Sequence, residues 1–288
     1  MNLRDETRFI MNKYGISASK RLGQNFLIDD NAVDDIVRAA EISKEDFVIE
    51  IGPGLGTLTA KLVQHAGKVT CVELDDRMIS ILSERFALYD NFELIHDDIL
   101  KIDISKLIAE AFSESDGKLK HAKVVANLPY YITTPIIMKL LKERLNLQSI
   151  TIMVQKEVAN RLVAEPGSHE CGAITYSIYY YTTPTKCIDV SKYSFVPSPE
   201  VDSAVIKLNL LSEPRIQVED EQVFFNIIKA AFMQKRKTLI NALFSAKLIS
   251  SKDEGEKMLT ELGFDPNIRG EKLSLNDYKR IYDYLKTK

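Results

Sequence analysis

From residue 47 to about residue 165 the chain alternates two kinds of segment, and this alternation limits the folds open to it more than any other feature. Short apolar, β-branched runs read as strands: "FVIEI" (47–51), "KVTCVE" (68–73), "FELIH" (92–96), "KVVAN" (123–127) and "SITIMVQ" (149–155). The stretches after them carry apolar residues at helical spacing: "TLTAKLVQHAG", stopped by Gly67; "DDRMISILSERFAL", opened by Asp75 and Asp76; "DISKLIAEAF"; "TTPIIMKLLKERL", with Pro135 tolerated in its first turn; and "KEVANRLVA". Strands separated by single helices become parallel neighbours, so the expectation is an α/β, doubly wound sheet. The later runs "AITYSIYYYT" (173–182), "TKCIDV" (185–190) and "SAVIKLNLL" (203–211) read as strands that finish the sheet antiparallel. After Pro214 the pattern is helical near 220–234, 236–246, 252–262 and 275–286. This predicts a domain of 1–212 and a small all-α domain of 213–288.

Composition removes several function classes. The amino terminus "MNLRDETRFIMNKYG" is charged and has no apolar core, so it does not read as a secretory signal, and no apolar run approaches the length of a bilayer span. Cys71, Cys171 and Cys187 are scattered and read as small buried hydrophobes in a reducing compartment. His65, His96, His121 and His169 show no metal-ligand spacing, so no metal is expected. The expected location is the cytoplasm. The net charge of −3 hides two basic clusters. One is Arg4, Arg8, Lys13, Lys20 and Arg21, against Asp5 and Glu6; the other is Lys229, Lys235, Arg236, Lys237 and Lys247, with no acid among residues 229–247. Either alone is an ordinary solvated helix face; two of them flanking an enzyme-like core point to a polyanion.

Ligands of a doubly wound sheet bind at the carboxyl ends of its strands. The first strand ends in Glu50-Ile51-Gly52-Pro53-Gly54-Leu55-Gly56. This G-x-G-x-G spacing departs from the dinucleotide fingerprint G-x-G-x-x-G, and a tight βα turn is its ordinary alternative. The second ends in Glu73, placed to accept the two hydroxyls of a ribose; the third ends in Asp97-Asp98, where a carboxylate can accept from an adenine amine or simply cap a helix. The fourth ends in Asn127-Leu128-Pro129-Tyr130. The Asn127 side chain and the Leu128 carbonyl supply two fixed acceptors, Pro129 stiffens the loop, and Tyr130 offers a ring on which a base can stack. The ordinary alternatives are a turn residue for Asn127 and a core ring for Tyr130.

A loop without a phosphate cradle, with acids ending strands two and three, suits S-adenosylmethionine, and Glu50 is placed to hold the amine of its methionine tail. Here the sequence resembles the class I methyltransferases, and "NLPY" resembles the motif of those that methylate exocyclic amines. "KRLGQNFLID" (20–29), "FVPSPEVDSAVIKL" (195–208) and "QKRKTLINAL" (234–243) resemble the ribosomal RNA adenine dimethyltransferases, and "GFDPNIRGEKLS" (263–274) the KsgA (RsmA) branch. The resemblance covers nearly the whole chain. It implies a Rossmann-like seven-stranded sheet and S-adenosylmethionine as cofactor. The implied activity is dimethylation of two adjacent adenines near the 3′ end of 16S ribosomal RNA, in the small (30S) subunit or its precursor; the chain itself is expected to be a monomer. Asn25, Leu27, Gly52, Glu73, Asp98 and Asn127 match cofactor-contacting positions, with Gly54 and Gly56 in the same loop. Phe195 matches a residue that stacks on the target base opposite Tyr130. Read from the residues, Phe195 is an exposed ring on a proline-stiffened segment, and its alternative is a hydrophobic anchor. Lys235, Arg236 and Lys237 read as a helix start facing an RNA backbone. Cys171 stands where the family often has an aromatic residue, and Gly270 at a variable place, which touches rim contacts only. Alternatives are an Erm-type enzyme acting on large-subunit RNA, a DNA adenine methyltransferase, and an assembly or transcription factor that kept the fold without catalysis.

Overall fold

The structure, a computed structural model, describes residues 2–19 and 22–287. In chain order its elements are α1 (Leu3–Lys13), β1 (Phe26–Leu27), α2 (Asp30–Ala40), β2 (Asp46–Ile51), α3 (Thr59–His65), β3 (Lys68–Glu73), α4 (Asp76–Phe86), β4 (Phe92–His96) and α5 (Ile104–Glu114). Then follow β5 (His121–Asn127), α6 (Thr133–Lys142), β6 (Ser149–Gln155), α7 (Lys156–Val163), α8 (Ala173–Tyr181), β7 (Thr182–Val190), β8 (Phe195–Val196) and β9 (Ser203–Leu210). The last four helices are α9 (Glu221–Met233), α10 (Leu239–Ser245), α11 (Lys252–Glu261) and α12 (Leu275–Lys286). The chain divides into two compact units, 1–159 with 185–210, and 160–184 with 211–288.

The first unit is built on a seven-stranded sheet of order β4-β3-β2-β5-β6-β9-β7. The five strands read from the first half of the sequence pair in parallel, and β6 pairs antiparallel with β9. Strand order reverses between β2 and β5, which makes that junction the switch point. The register brings the carboxyl ends level: Ile51 lies opposite Val72 and Ala126, and Glu73 opposite His96. Helices cover both faces, so Val48, Ile49, Val69, Val124 and Val125 are fully buried. Burial on both faces is why these strands read as continuous apolar runs rather than alternating ones. Each such side chain contributes roughly 1.5–3 kcal/mol. Carboxylates start the helices where the amino-terminal amides lack partners: Asp29 caps α2, Asp75 caps α4 and Asp103 caps α5.

A second, two-stranded sheet joins β1 to β8, with Phe26 opposite Val196 and Leu27 opposite Phe195. The Ile28 amide donates to the Ser194 carbonyl at 2.8 Å, and the Ser194 hydroxyl donates to Asp29 at 2.7 Å. The proline-stiffened "FVPSPEV" stretch therefore starts in a strand.

In the second unit, residues 173–181 form helix α8, not the strand expected from their aromatic and β-branched content. The reason is tertiary. Tyr176 and Tyr180 are buried, with Tyr176 packed edge-on to Tyr278 at 5.1 Å and Tyr180 to Phe225 at 5.2 Å. The Tyr176 hydroxyl donates to the Leu273 carbonyl at 2.6 Å. A helix with rings on several sides carries no clear 3.6-residue period, so local propensity points to the wrong element. The same packing places 160–184 with the helical unit, whereas the expected boundary at 212 leaves them in the first domain.

Candidate active site

The loop after β2 turns on glycines. Gly52, Gly54 and Gly56 have φ of 68°, 58° and 81°. Gly56 is doubly constrained, because a Cβ there would sit 2.5 Å from the Phe86 ring. The amide of Gly54 donates to Glu73 at 3.1 Å, so the loop is tied to the end of β3. The other Glu73 oxygen accepts from the amides of Leu74 and Asp75, both at 2.8 Å. These three bonds fix the carboxylate and offset the burial that raises its pKa. A carboxylate has about four lone-pair sites, so three backbone donors leave capacity for a ligand hydroxyl.

At the end of β4, Asp98 accepts from the Leu100 amide at 3.0 Å in a short turn. It does not cap the next helix; Asp103 does. Asn127 is the last residue of β5, opposite Met153, and its side chain makes no hydrogen bond among the described residues. The loop beyond it is held from both sides. The Pro129 carbonyl accepts from the Ile132 amide and the Thr133 hydroxyl, both at 3.2 Å, and the Tyr130 hydroxyl pairs with Ser203 at 3.0 Å. Tyr130 is half-buried, which raises its phenol pKa. Residues 22–27 supply another wall, with Asn25 folded so that its amide donates to the Gly23 carbonyl at 3.2 Å.

One cavity collects these groups. Asn25, Leu27, Glu50, Gly52, Gly54, Glu73, Asp98, Asn127, Leu128, Pro129, Tyr130 and Phe195 all line it. Gly56 lies just outside and acts through backbone shape. One expectation is corrected in detail. Phe195 is 3% exposed and belongs to the core beneath the cavity, because its pairing with β1 turns it inward. Glu50 is 2% exposed, and its carboxylate accepts from the Thr59 hydroxyl at 2.6 Å and the Cys71 thiol at 3.2 Å. Burial pushes its pKa up to about 7. The cavity also uses residues that sequence reasoning passes over: Gln24, one position before Asn25, and the apolar Leu55, Ile99 and Ile136. Ile99 carries a signal, an apolar residue directly after an acidic pair.

The basic clusters lie elsewhere. Lys235, Arg236 and Lys237 are exposed in the turn between α9 and α10, not at a helix start, because α10 begins only at Leu239. Lys235 pairs with Glu271 at 3.5 Å. Arg4 and Arg8 are exposed on α1, and Lys13 is paired with Glu84 at 2.8 Å; Lys20 and Arg21 lie outside the described residues.

The donor set fits S-adenosylmethionine. No Lys or Arg lines the cavity among the described residues, which disfavours a pyrophosphate, while four carboxylates (Glu50, Glu73, Asp97 and Asp98) suit a cationic nucleoside. Apolar walls from Leu55 and Ile99 suit its base. Comparison with known proteins agrees. The family described as ribosomal RNA adenine dimethylase matches residues 15–287. A ribosomal RNA small subunit methyltransferase A of Clostridium acetobutylicum is 49% identical over 280 residues, covering 97% of this chain and 98% of that one. The protein of the same name from Geobacillus thermodenitrificans is 46% identical over 281 residues, 97% and 94% of the two chains. The crystal structure of a dimethyladenosine transferase from Plasmodium falciparum superposes with a TM-score of 0.74 at 28% identity, over 91% of this chain and 98% of that one. The 23S rRNA methyltransferase ErmE shares the fold, with a TM-score of 0.68 at 22% identity over 91% of this chain and 100% of that one.

Proposed function

The chain belongs to the ribosomal RNA adenine dimethylase family, and from that premise we propose that it dimethylates two adjacent adenines near the 3′ end of 16S ribosomal RNA within the small (30S) subunit or its precursor, working in the cytoplasm as a monomer. Adenine N6-dimethylation of small-subunit ribosomal RNA with S-adenosylmethionine as cofactor follows from the family and its relatives. The same relatives favour the KsgA (RsmA) branch over an Erm-type enzyme. The observation that carries the detailed reading is the cavity where Asn127-Leu128-Pro129-Tyr130 meets Glu73 and Asp98 at three level strand ends.

S-adenosylmethionine supplies an electrophilic methyl group on a sulfonium. The residues do the rest. Glu73, held by three amides, would accept from the ribose; Asp98 would accept from the adenine amine of the cofactor; Asn25, Leu27 and the loop of Gly52, Gly54 and Gly56 would shape the remainder; Glu50 would balance the positive tail. The target amine is a poor nucleophile because its lone pair is delocalised into the ring. The Asn127 side chain and the Leu128 carbonyl each take one of its N–H groups, which favours a pyramidal nitrogen with a directed lone pair. Pro129, pinned through Ile132 and Thr133, keeps those acceptors from reorganising. Tyr130, pinned through Ser203, stacks on the base, and Phe195 forms part of the wall rather than an exposed platform. No general base is required, since the alkylated nitrogen is strongly acidic and releases its proton to water. Alignment supplies most of the rate. Lys235, Arg236 and Lys237, with the helical unit that carries them, contact RNA backbone.

Asn127→Ala tests the reading. The acceptor strengthens as the amine gains positive charge, so its loss falls on turnover more than on binding. Single-turnover methylation of undermethylated small subunits is expected to slow by about 10²–10³, with cofactor binding preserved. Near-normal transfer by the variant would make Asn127 a turn residue only.

A further inference from the structure

Gln24 lies outside the contacts assigned so far, yet its side chain makes the bonds that join two walls of the cavity. Its Nε2 donates to Asp75 Oδ2 at 2.8 Å. Its Oε1 accepts from the Ser19 amide at 2.9 Å and from the Arg77 guanidinium at 3.3 Å. Arg77 in turn holds Asp75 through Nε at 2.9 Å and donates to the Ser17 carbonyl at 3.1 Å. Asp75 is 7% exposed, and its amide is one of the three that fix Glu73. A continuous run of hydrogen bonds therefore leads from the wall bearing Asn25 and Leu27, through Gln24 and Asp75, to the Glu73 carboxylate.

The same wall reaches the other side of the switch point. A Cβ on Gly23 would lie 3.5 Å from Tyr131 and 3.6 Å from Pro129. Residues 22–25 thus span from the end of β3 to the loop after β5, across the mouth of the strand ends. One glutamine amide, with its donor on a carboxylate and its acceptor on an amide and a guanidinium, uses both halves of its hydrogen-bonding capacity there.

We propose that Gln24 is a positioning residue for the cofactor: it locks the wall of Asn25 and Leu27 to the turn of Glu73, and so controls how fast the spent cofactor leaves. Two methyl groups on one nitrogen need two molecules of cofactor, so that exchange occurs within every dimethylation. The inference rests on the cofactor reading of this cavity.

The test is the dissociation rate of radiolabelled S-adenosylhomocysteine from the full chain, with the KM for S-adenosylmethionine measured beside it. Gln24→Ala removes both halves of the tie. Gln24→Glu keeps the bulk and the acceptor but replaces the donor with a carboxylate facing Asp75. Both variants are expected to release the label about tenfold faster, the equivalent of one hydrogen bond to a charged group, and to raise KM by more than they lower kcat. A merely structural role would move the melting temperature and leave the release rate alone. Wild-type release from both variants overturns the proposal, as does wild-type release from Gln24→Glu with fast release from Gln24→Ala, which would show that the donor to Asp75 ties nothing. If the unaltered chain fails to hold the label at all, the cofactor reading falls, and the tie falls with it.

Discussion

Glu50 and Glu73 end neighbouring strands, yet their surroundings give them different properties. Glu73 has three backbone donors on its carboxylate, so Glu73→Ala is expected to weaken cofactor binding by ~1.5–3 kcal/mol and to loosen the loop that Gly54 anchors. Calorimetry with unchanged affinity would remove Glu73 from the site. Glu50 is buried against Thr59 and Cys71, and its pKa is raised from 4.5 to about 7. Between those values the folded chain keeps a proton that the unfolded chain has released. The stability so gained is complete below 4.5 and is lost as pH rises through about 7. It amounts to roughly 3 kcal/mol. Melting curves between pH 5 and pH 8 should show this slope in the natural chain and lose it in Glu50→Gln. A cationic ligand favours the ionised form, so cofactor affinity should fall as pH drops below 7, by up to about tenfold per unit, and stay flat in Glu50→Gln. An affinity in the natural chain that ignores pH in this window would separate Glu50 from the methionine tail.

The strands and the polar residues that gather at their ends are legible in sequence because both faces of a parallel strand are apolar and its carboxyl end is where polar side chains return. Asp98 and Asn127 stand out for that reason. The environment of each residue is not legible: the inward turn of Phe195 depends on its pairing with Leu27, residues 168 positions apart in the chain. Helix α8 reads as a strand because its packing partners, Phe225 on α9 and Tyr278 on α12, are distant in sequence. Helices α1 and α2 and strand β1 come before the first strand that the alternation reveals, and the pattern does not assign them. Within the loop after β2, Gly56→Ala is expected to cost more than an ordinary Gly→Ala change, since it adds a left-handed φ to a 2.5 Å approach to Phe86. A loss of stability with weaker cofactor binding is expected; a neutral variant would show that Phe86 moves freely. In the turn between α9 and α10, replacing Lys235, Arg236 and Lys237 with Ala should flatten the salt dependence of small-subunit binding, by up to about 0.9 in slope for each phosphate that is no longer neutralised. An unchanged slope would make the turn an ordinary solvated one.

At the scale of the whole molecule, one unit carries the candidate site at its strand ends, and the other carries a basic turn remote in sequence from every cavity residue. The net charge of −3 conceals this division, because acids spread over the chain outweigh the local clusters. The central claim is that this arrangement places two methyl groups on each of two neighbouring adenines and nowhere else. The direct test is nucleotide-resolution mapping of methyl groups after purified protein and S-adenosylmethionine are incubated with ribosomal subunits lacking the modification. Two adjacent N6,N6-dimethyladenines near the 3′ end of 16S ribosomal RNA, formed about 10²–10³ times more slowly when Asn127→Ala replaces the natural chain, are the predicted result. Methyl groups on large-subunit RNA, or on a single isolated adenine, would contradict it.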